Sequence, residues 1–441
     1  MPFPSTHRLP RLSLFALALA APPTDDWPAW RGPDGTGVAA SAAPTTWSDT
    51  ENVKWKVAIP GRGFSTPIAL GARIFLTTAV STGEEPQVVE EDGGDGRSFA
   101  RVVPTEQAFV VLCLDRESGA VQWEKRANVA TPHEGYHRQY GSWASYSPVT
   151  DGERLYVSFG TWGIYCYTLE GELVWKTDLG VEMEMRRQFG EGSAPVVHGD
   201  TLVQVLDQEG DSLIVALDKK TGKERWRAAR DEPSSWAMPV VAEVGGVAQV
   251  ITSATNAVRS YRLADGELIW TCSGLGANAI PAPLLSGDTV VVMTGYRDPN
   301  MMAIRLGGKG DLSGTEAVLW QNPKGCPYTA APVLHDGKIY AAMDRGFLSC
   351  FDARTGEATY REERLPRGTS LKASPVAAGE HLYVATESGE VHVVKLGPEF
   401  ELVATNTLAD QFFVASPVVV DGEMLLRSET HLFCIAEEEG E

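Results

Sequence analysis

The sequence predicts an all-β fold: an eight-bladed β-propeller of four-stranded antiparallel blades, closed by an N-terminal strand that pairs into the last blade. Three observations carry that reading. A phrase of small residue, proline, apolar run, Gly/Asp turn and second apolar strand recurs eight times, at Pro67, Pro148, Pro195, Pro239, Pro283, Pro332, Pro375 and Pro417. From Pro148 onward the prolines stand 47, 44, 44, 49, 43 and 42 residues apart by subtraction, after a first gap of 81. A period in the forties with about four short strands per unit marks propeller blades. An aromatic also recurs late in the unit, and residues 52–58 stand before the first proline with no blade of their own.

Taken from the N-terminus, residues 1–20 read as an export signal. Arg8 and Arg11 precede an apolar stretch from Leu12 to Ala20 that ends in an Ala18-Leu19-Ala20 cleavage box. That stretch has about half the length needed to span a bilayer, so a membrane-spanning anchor is not expected. No cysteine follows it for lipid attachment. The expected location is therefore periplasmic or secreted. Residues 21–51 form an N-terminal extension and residues 52–436 the propeller.

The last repeat, Phe412 to Ile435, has room for three strands, so residues 52–58 are expected to supply its fourth. Such closure hides edges that would otherwise template aggregation. In blade one, residues 81–107 form an acidic, Gly-rich insertion expected to be a solvated loop. Residues 128–143 are a longer link into blade two. Residues 437–441 are an acidic tail.

One blade shows how the residues write the unit. Pro195 opens the first strand, where its missing N–H is tolerable. Gly199-Asp200 turns into Thr201–Leu206, Leu213–Leu217 follows, and Asp218-Lys219-Lys220-Thr221-Gly222 makes a tight turn before Trp226. Trp55, Trp123, Trp175, Trp226, Trp270 and Trp320 occupy this last position, with Tyr360 in blade six, while blade seven reaches Val403 without an aromatic. Large rings there are expected to fill the wedge between blades.

Composition narrows the function. The 441 residues carry a formal net charge of −20, which opposes binding to nucleic acid or anionic lipid. A monomer is expected. Of the six cysteines, Cys113, Cys166, Cys350 and Cys434 hold one repeat position and read as small buried apolar residues. Cys272 and Cys326 follow neighbouring blades, and a bridge between them stays open.

Two constellations stand out. His133-Glu134-Gly135-Tyr136-His137 matches H-E-x-x-H, but Pro132, Gly135 and the flanking strands argue against the helix that a zinc site needs; no metal site is expected. The linkers before the prolines crowd one mouth of the channel. They carry Arg62, His133, Tyr140, Trp143, Glu184, Arg186, Arg187, Trp236, Asn278, Tyr328 and Lys372, a set of cations and rings suited to an anionic planar ligand. No catalytic residue emerges.

Ala216-Leu217-Asp218-Lys219-Lys220-Thr221-Gly222-Lys223-Glu224-Arg225-Trp226 resembles the tryptophan-docking motif of pyrroloquinoline-quinone-type propellers, A-x-D-x-x-T-G-x-x-x-W, with degenerate copies over residues 52–436. The segment from Asp26 to Gly35 resembles the start of exported quinoprotein-like propellers. The family holds quinoprotein alcohol dehydrogenases and BamB-like outer-membrane assembly proteins. The first group implies pyrroloquinoline quinone with calcium, a vicinal disulfide and a catalytic aspartate; this chain has no adjacent cysteines. The second implies a scaffold without a cofactor. A scaffold that binds a protein or cell-envelope partner, without catalysis or cofactor, is the leading expectation, with a quinone-dependent dehydrogenase as the alternative.

Overall fold

In a computed structural model that describes residues 25–92 and 98–437, eight four-stranded antiparallel blades follow one another around a ring. Blade three is typical, with strands Val196–His198, Thr201–Leu206, Ser212–Asp218 and Glu224–Arg230 running from the channel outward. The first strands are the ones that touch from blade to blade, so they ring the channel. Blade eight is completed as expected. Val53–Ala58 pairs antiparallel with His431–Ile435, from Val53 opposite Ile435 to Ala58 opposite His431. The signal segment, Asp95 of the insertion and residues 438–441 of the tail lie outside the described residues.

The recurring aromatics do fill the seams. Indole Nε1 of Trp55, Trp123, Trp175 and Trp226 donates to a main-chain carbonyl of the next blade at 2.8–3.0 Å, and Trp320 does so at 3.2 Å. Each ring lies on the turn glycine of that next blade. A Cβ on Gly222 would stand 2.5 Å from the Trp175 ring, and its φ of +70° is one that glycine adopts without strain. Opposite each ring, on the third strand, stands a small residue: Cys434, Cys113, Cys166 and Cys350 face Trp55, Trp123, Trp175 and Tyr360, and Ala216 faces Trp226. This cross-strand match of small against large explains why four cysteines recur in register. All six cysteines are buried and free, Cys272 and Cys326 included.

Two seams depart from the pattern. Between blades four and five, Gly310–Asp311 folds back as a fifth strand parallel to Leu268–Cys272. It covers Trp270 completely and leaves that indole N–H without a partner. Between blades seven and eight the docking position is Ala404, opposite Val393. Trp47 of the N-terminal extension packs into the same cluster, its ring stacked 6.5 Å from Tyr383.

The acidic insertion is not a loop. Gln87–Asp92 and Ser98–Val103 pair as a hairpin in which Val88 faces Val102 and Glu90 faces Ala100. Val102 is buried, and its carbonyl lies against Gly135. Val88 and Val102 form a cross-strand valine pair in it, while Val89 faces Arg101 and Val103 faces Gln87, and this β-favouring set outweighs the acidic composition.

The N-terminal extension has a role the repeat could not show. Trp27, fully buried, bonds both its main-chain groups to Ala69 of blade one at 2.9 Å. Arg31, also buried, donates to the carbonyls of Pro332 and Pro375 at 3.0 Å. Trp30 packs on Ala194, Met238, Ala282 and Ala331, the pre-proline residues of blades three to six. Around the rest of the ring the pre-proline residues carry hydroxyls. The amides of Ala331, Ser374, Ser416 and Thr66 each donate to the next blade's pre-proline hydroxyl, at 2.8, 3.2, 3.0 and 2.9 Å. The small-residue-proline phrase thus builds a channel wall, half apolar and half hydrogen-bonded, and the extension stoppers it.

Candidate binding site at the channel mouth

With the extension across the channel, the opposite mouth becomes a blind cup of about 410 Å³ floored by Trp30. Every pre-proline linker contributes to its wall. Of the residues the sequence placed at the mouth, Tyr140, Arg186, Arg187, Trp236, Asn278, Tyr328 and Lys372 line it. The other four stand elsewhere. His133 and Trp143 line a small separate void behind the wall, where the Trp143 indole donates to the Glu134 carbonyl and His133 Nε2 pairs with the Met183 carbonyl at 2.7 Å. Arg62 is a strut: it donates to the carbonyls of Gly141, Arg138 and Gln139, and pairs with Glu429. Glu184 is exposed, outside the cup.

The linkers are held by buried polar contacts, so the cup is preorganised. Asp207 receives Arg230 and the Ser235 hydroxyl in the linker that carries Trp236. Asp344 receives the amides of Tyr328 and Thr329 and, at 2.7 Å, the Lys372 ammonium. Burial opposes the charge of Lys372, yet Asp344 and Glu387 hold its pKa above the usual lysine value. Lys372 is therefore a committed cation. Arg186, Arg187 and Arg297 differ, since none makes an ion pair with a carboxylate among the described residues. Arg297 and Tyr296 come from the turn between the second and third strands of blade five, which the linker reading passed over.

Backbone strain gathers here too. Arg187 and Gln188 both have φ of 52° and Asn278 has φ of 60°. For Arg and Gln that region is uncommon, and such residues concentrate at binding sites.

The H-E-x-x-H segment is irregular, not helical. His137 faces the cup, where its Nδ1 accepts the Tyr140 amide and its ring stacks 4.6 Å from Tyr140. Burial, then Lys372 and Arg62, lower its pKa. Glu134 accepts the Met185 amide with both oxygens, and burial raises its carboxyl to about 7. The two histidines thus face different neighbours.

Calcium asks for six to eight oxygen ligands. The carboxylate lining the cup is Glu191, already bound to Thr161 and Tyr146, while Asp344 and Glu387 are tied to Lys372 behind the lining. No cluster of three or more His, Cys, Asp or Glu exists among the described residues. The donor set does not suit a calcium-held quinone.

Fold and seams define an eight-bladed propeller of the tryptophan-docking class. A family model described as outer membrane protein assembly factor BamB matches residues 107–208 and 170–397, and the chain belongs to that family. It is 24% identical over 335 residues to BamB of Burkholderia pseudomallei (strain K96243), covering 72% of this chain and 74% of that protein. It is 28% identical over 222 residues to the serine/threonine-protein kinase AfsK of Streptomyces griseus, covering 49% of this chain but 24% of the kinase. Among solved structures, BamB from Moraxella catarrhalis superposes with a TM-score of 0.54 at 12% identity, covering 81% of this chain and 98% of that one. A quinohemoprotein alcohol dehydrogenase from Pseudomonas putida HK5 gives 0.56 at 12% identity, covering 95% and 82%. At such identities these two likenesses speak to fold alone. No helix among the described residues is long and apolar enough to cross a membrane.

Proposed function

We propose that this chain is an exported, non-catalytic scaffold of the cell envelope that takes a partner at the open mouth of its propeller. The observation that carries this reading is the cup itself. A protein of net charge −20 gathers three arginines, without carboxylate partners among the described residues, into one preorganised, aromatic-walled recess. Unpaired guanidinium groups over aromatic walls are suited to anionic groups, by charge-assisted hydrogen bonds and by stacking. Membership of the BamB family supports an envelope role that needs no cofactor. The export-signal reading of residues 1–20 supports a periplasmic or secreted location. The dehydrogenase reading has a structural neighbour in its favour, but the cup's donor set does not suit its calcium.

Site-specific photo-crosslinking in the native cell tests this. A photo-reactive residue at Tyr296, on the mouth, should give a discrete adduct. The same residue at Val121 or Leu268, on outer strands, should not. Adducts confined to the outer strands would move the partner site off the mouth and sink the proposal.

A further inference from the structure

The cup does not end at its rim. A second recess of about 980 Å³ adjoins it, and His137, Arg187 and Phe189 line both. Arg187, whose φ is 52°, thus stands with His137 and Phe189 at the saddle between them. Beyond the saddle the groove carries Arg62, Arg101 and Arg138, together with Tyr136 and Phe412. Among the described residues its carboxylate lining is Glu429, which is paired with Arg62, and Glu90 of the hairpin stands 3.9 Å from Arg138. Cationic and aromatic lining thus runs from the blind floor at Trp30 out to the acidic hairpin.

From this continuity we infer that the partner presents an acidic C-terminal tail, inserted end first. The inference rests on the proposed partner role of the mouth. Shape requires an extended ligand, because a compact anion would fill the cup and leave the groove empty. The blind floor requires an end, because a chain entering the cup has no exit through the stoppered channel. Inside the cup a terminal carboxylate meets Arg186, Arg187 and Arg297 on the wall, a known mode of C-terminal capture in which fixed donors hold the carboxylate. Charge limits the length of the polyanion. A surface of net charge −20 repels nucleic acid, long anionic glycans and anionic membranes, while a tail of a few residues is confined to the cationic recess. Phe189 and Phe412 then offer faces to an apolar or aromatic residue among the acids.

The test is an array of octapeptides ending in free carboxylates, scanning Asp, Glu and aromatic residues, probed with the purified full chain. Each peptide has a C-terminally amidated twin and an Asn/Gln twin. Acidic free-acid peptides should bind, and amidation should weaken them about tenfold, the scale of one lost charge-assisted contact. Arg187→Ala and Arg297→Ala should each weaken them by a similar factor, with melting temperatures unchanged because neither side chain has an ion-pair partner among the described residues. Equal binding of amidated and free-acid peptides overturns end-first insertion. No acidic peptide exceeding its Asn/Gln twin overturns the acidic tail. An oligogalacturonate of equal charge binding as tightly as the best peptide would assign the groove to a glycan instead. Crosslinks from Tyr296 without acidic-peptide binding would leave the mouth as the partner site and refute only the tail.

Discussion

The two ends of the channel handle arginine in opposite ways. At the closed end Arg31 is buried without a carboxylate, and burial lowers its pKa to about 9. Two proline carbonyls nevertheless take its Nη1 and Nη2 donors. At the open end Arg186, Arg187 and Arg297 stand on the wall of a solvent-reaching cup without ion-pair partners among the described residues. The first arrangement gives two nitrogens of the guanidinium partners from within the fold and is expected to matter for stability. The second leaves charge available, which a fold has no reason to do for its own stability. That contrast separates scaffold from site more sharply than residue type does, and each arm can be broken by substitution.

Trp27→Ala at the closed end should give the largest effect, about 3–5 kcal/mol, the usual range for emptying a large buried aromatic site. Trp226→Ala at a regular seam should cost the same, since both rings are buried and hydrogen-bonded. Chemical denaturation of both variants checks this. A loss below about 1 kcal/mol for Trp27 would mean that the extension rests on the ring without closing it.

Arg31→Met is expected to cost less, about 1–3 kcal/mol, because it leaves the Pro332 and Pro375 carbonyls short of a donor while keeping much of the side-chain volume. Stability equal to wild type would show that water or main chain replaces the guanidinium. The two ends would then be alike in needing no partner from the fold.

The period made the ring legible because each blade repeats the same solution, and the docking tryptophans were legible for the same reason. The closing strand could be read from a shortage, three strands where four were needed. The stopper could not. Asp26 to Gly35 occurs once, has no period, and acts through main-chain partners as distant as Ala69 and Pro375. At the mouth, reading the pre-proline linkers found Arg186, Arg187, Trp236 and Asn278 but missed Tyr296 and Arg297, which project from a different turn of blade five. It also placed His133 and Trp143 at the mouth, though the long link folds them behind the wall. The hairpin at 87–103 was hidden by acidic composition, its paired valines being few.

A third prediction uses the wall between these regions. The Glu134 carboxyl is raised to about 7 mainly by burial, against the Met185 amide and His133. A raised carboxyl stabilises the fold below its unfolded value near 4.5, and that contribution is lost as pH rises through about 7. Relative to Glu134→Gln, the wild type should therefore lose about 1 kcal/mol between pH 5 and pH 8, a figure reduced for partial exposure. Parallel melting curves for the two proteins across that range would show Glu134 to be ionised throughout.

The smallest expected effect is the one that defines the open end. Arg297→Ala should change stability by no more than about 0.5 kcal/mol, the range of surface substitutions away from structural features. The side chain is exposed, its guanidinium lies 5.4 Å from the Tyr296 ring centre, and it forms no ion pair with a described carboxylate. Exposed cation–π contacts contribute about 0.5–1 kcal/mol at most, and Tyr296 stays stacked on Tyr328 at 5.1 Å without it. Removing a charge also relieves repulsion from Arg186 and Arg187 across the cup, which offsets part of that small loss. A destabilisation above about 1.5 kcal/mol would place Arg297 with Arg31 as a residue the fold requires. The difference between the two ends would then be one of exposure alone, and the mouth would lose its main claim to be a binding site.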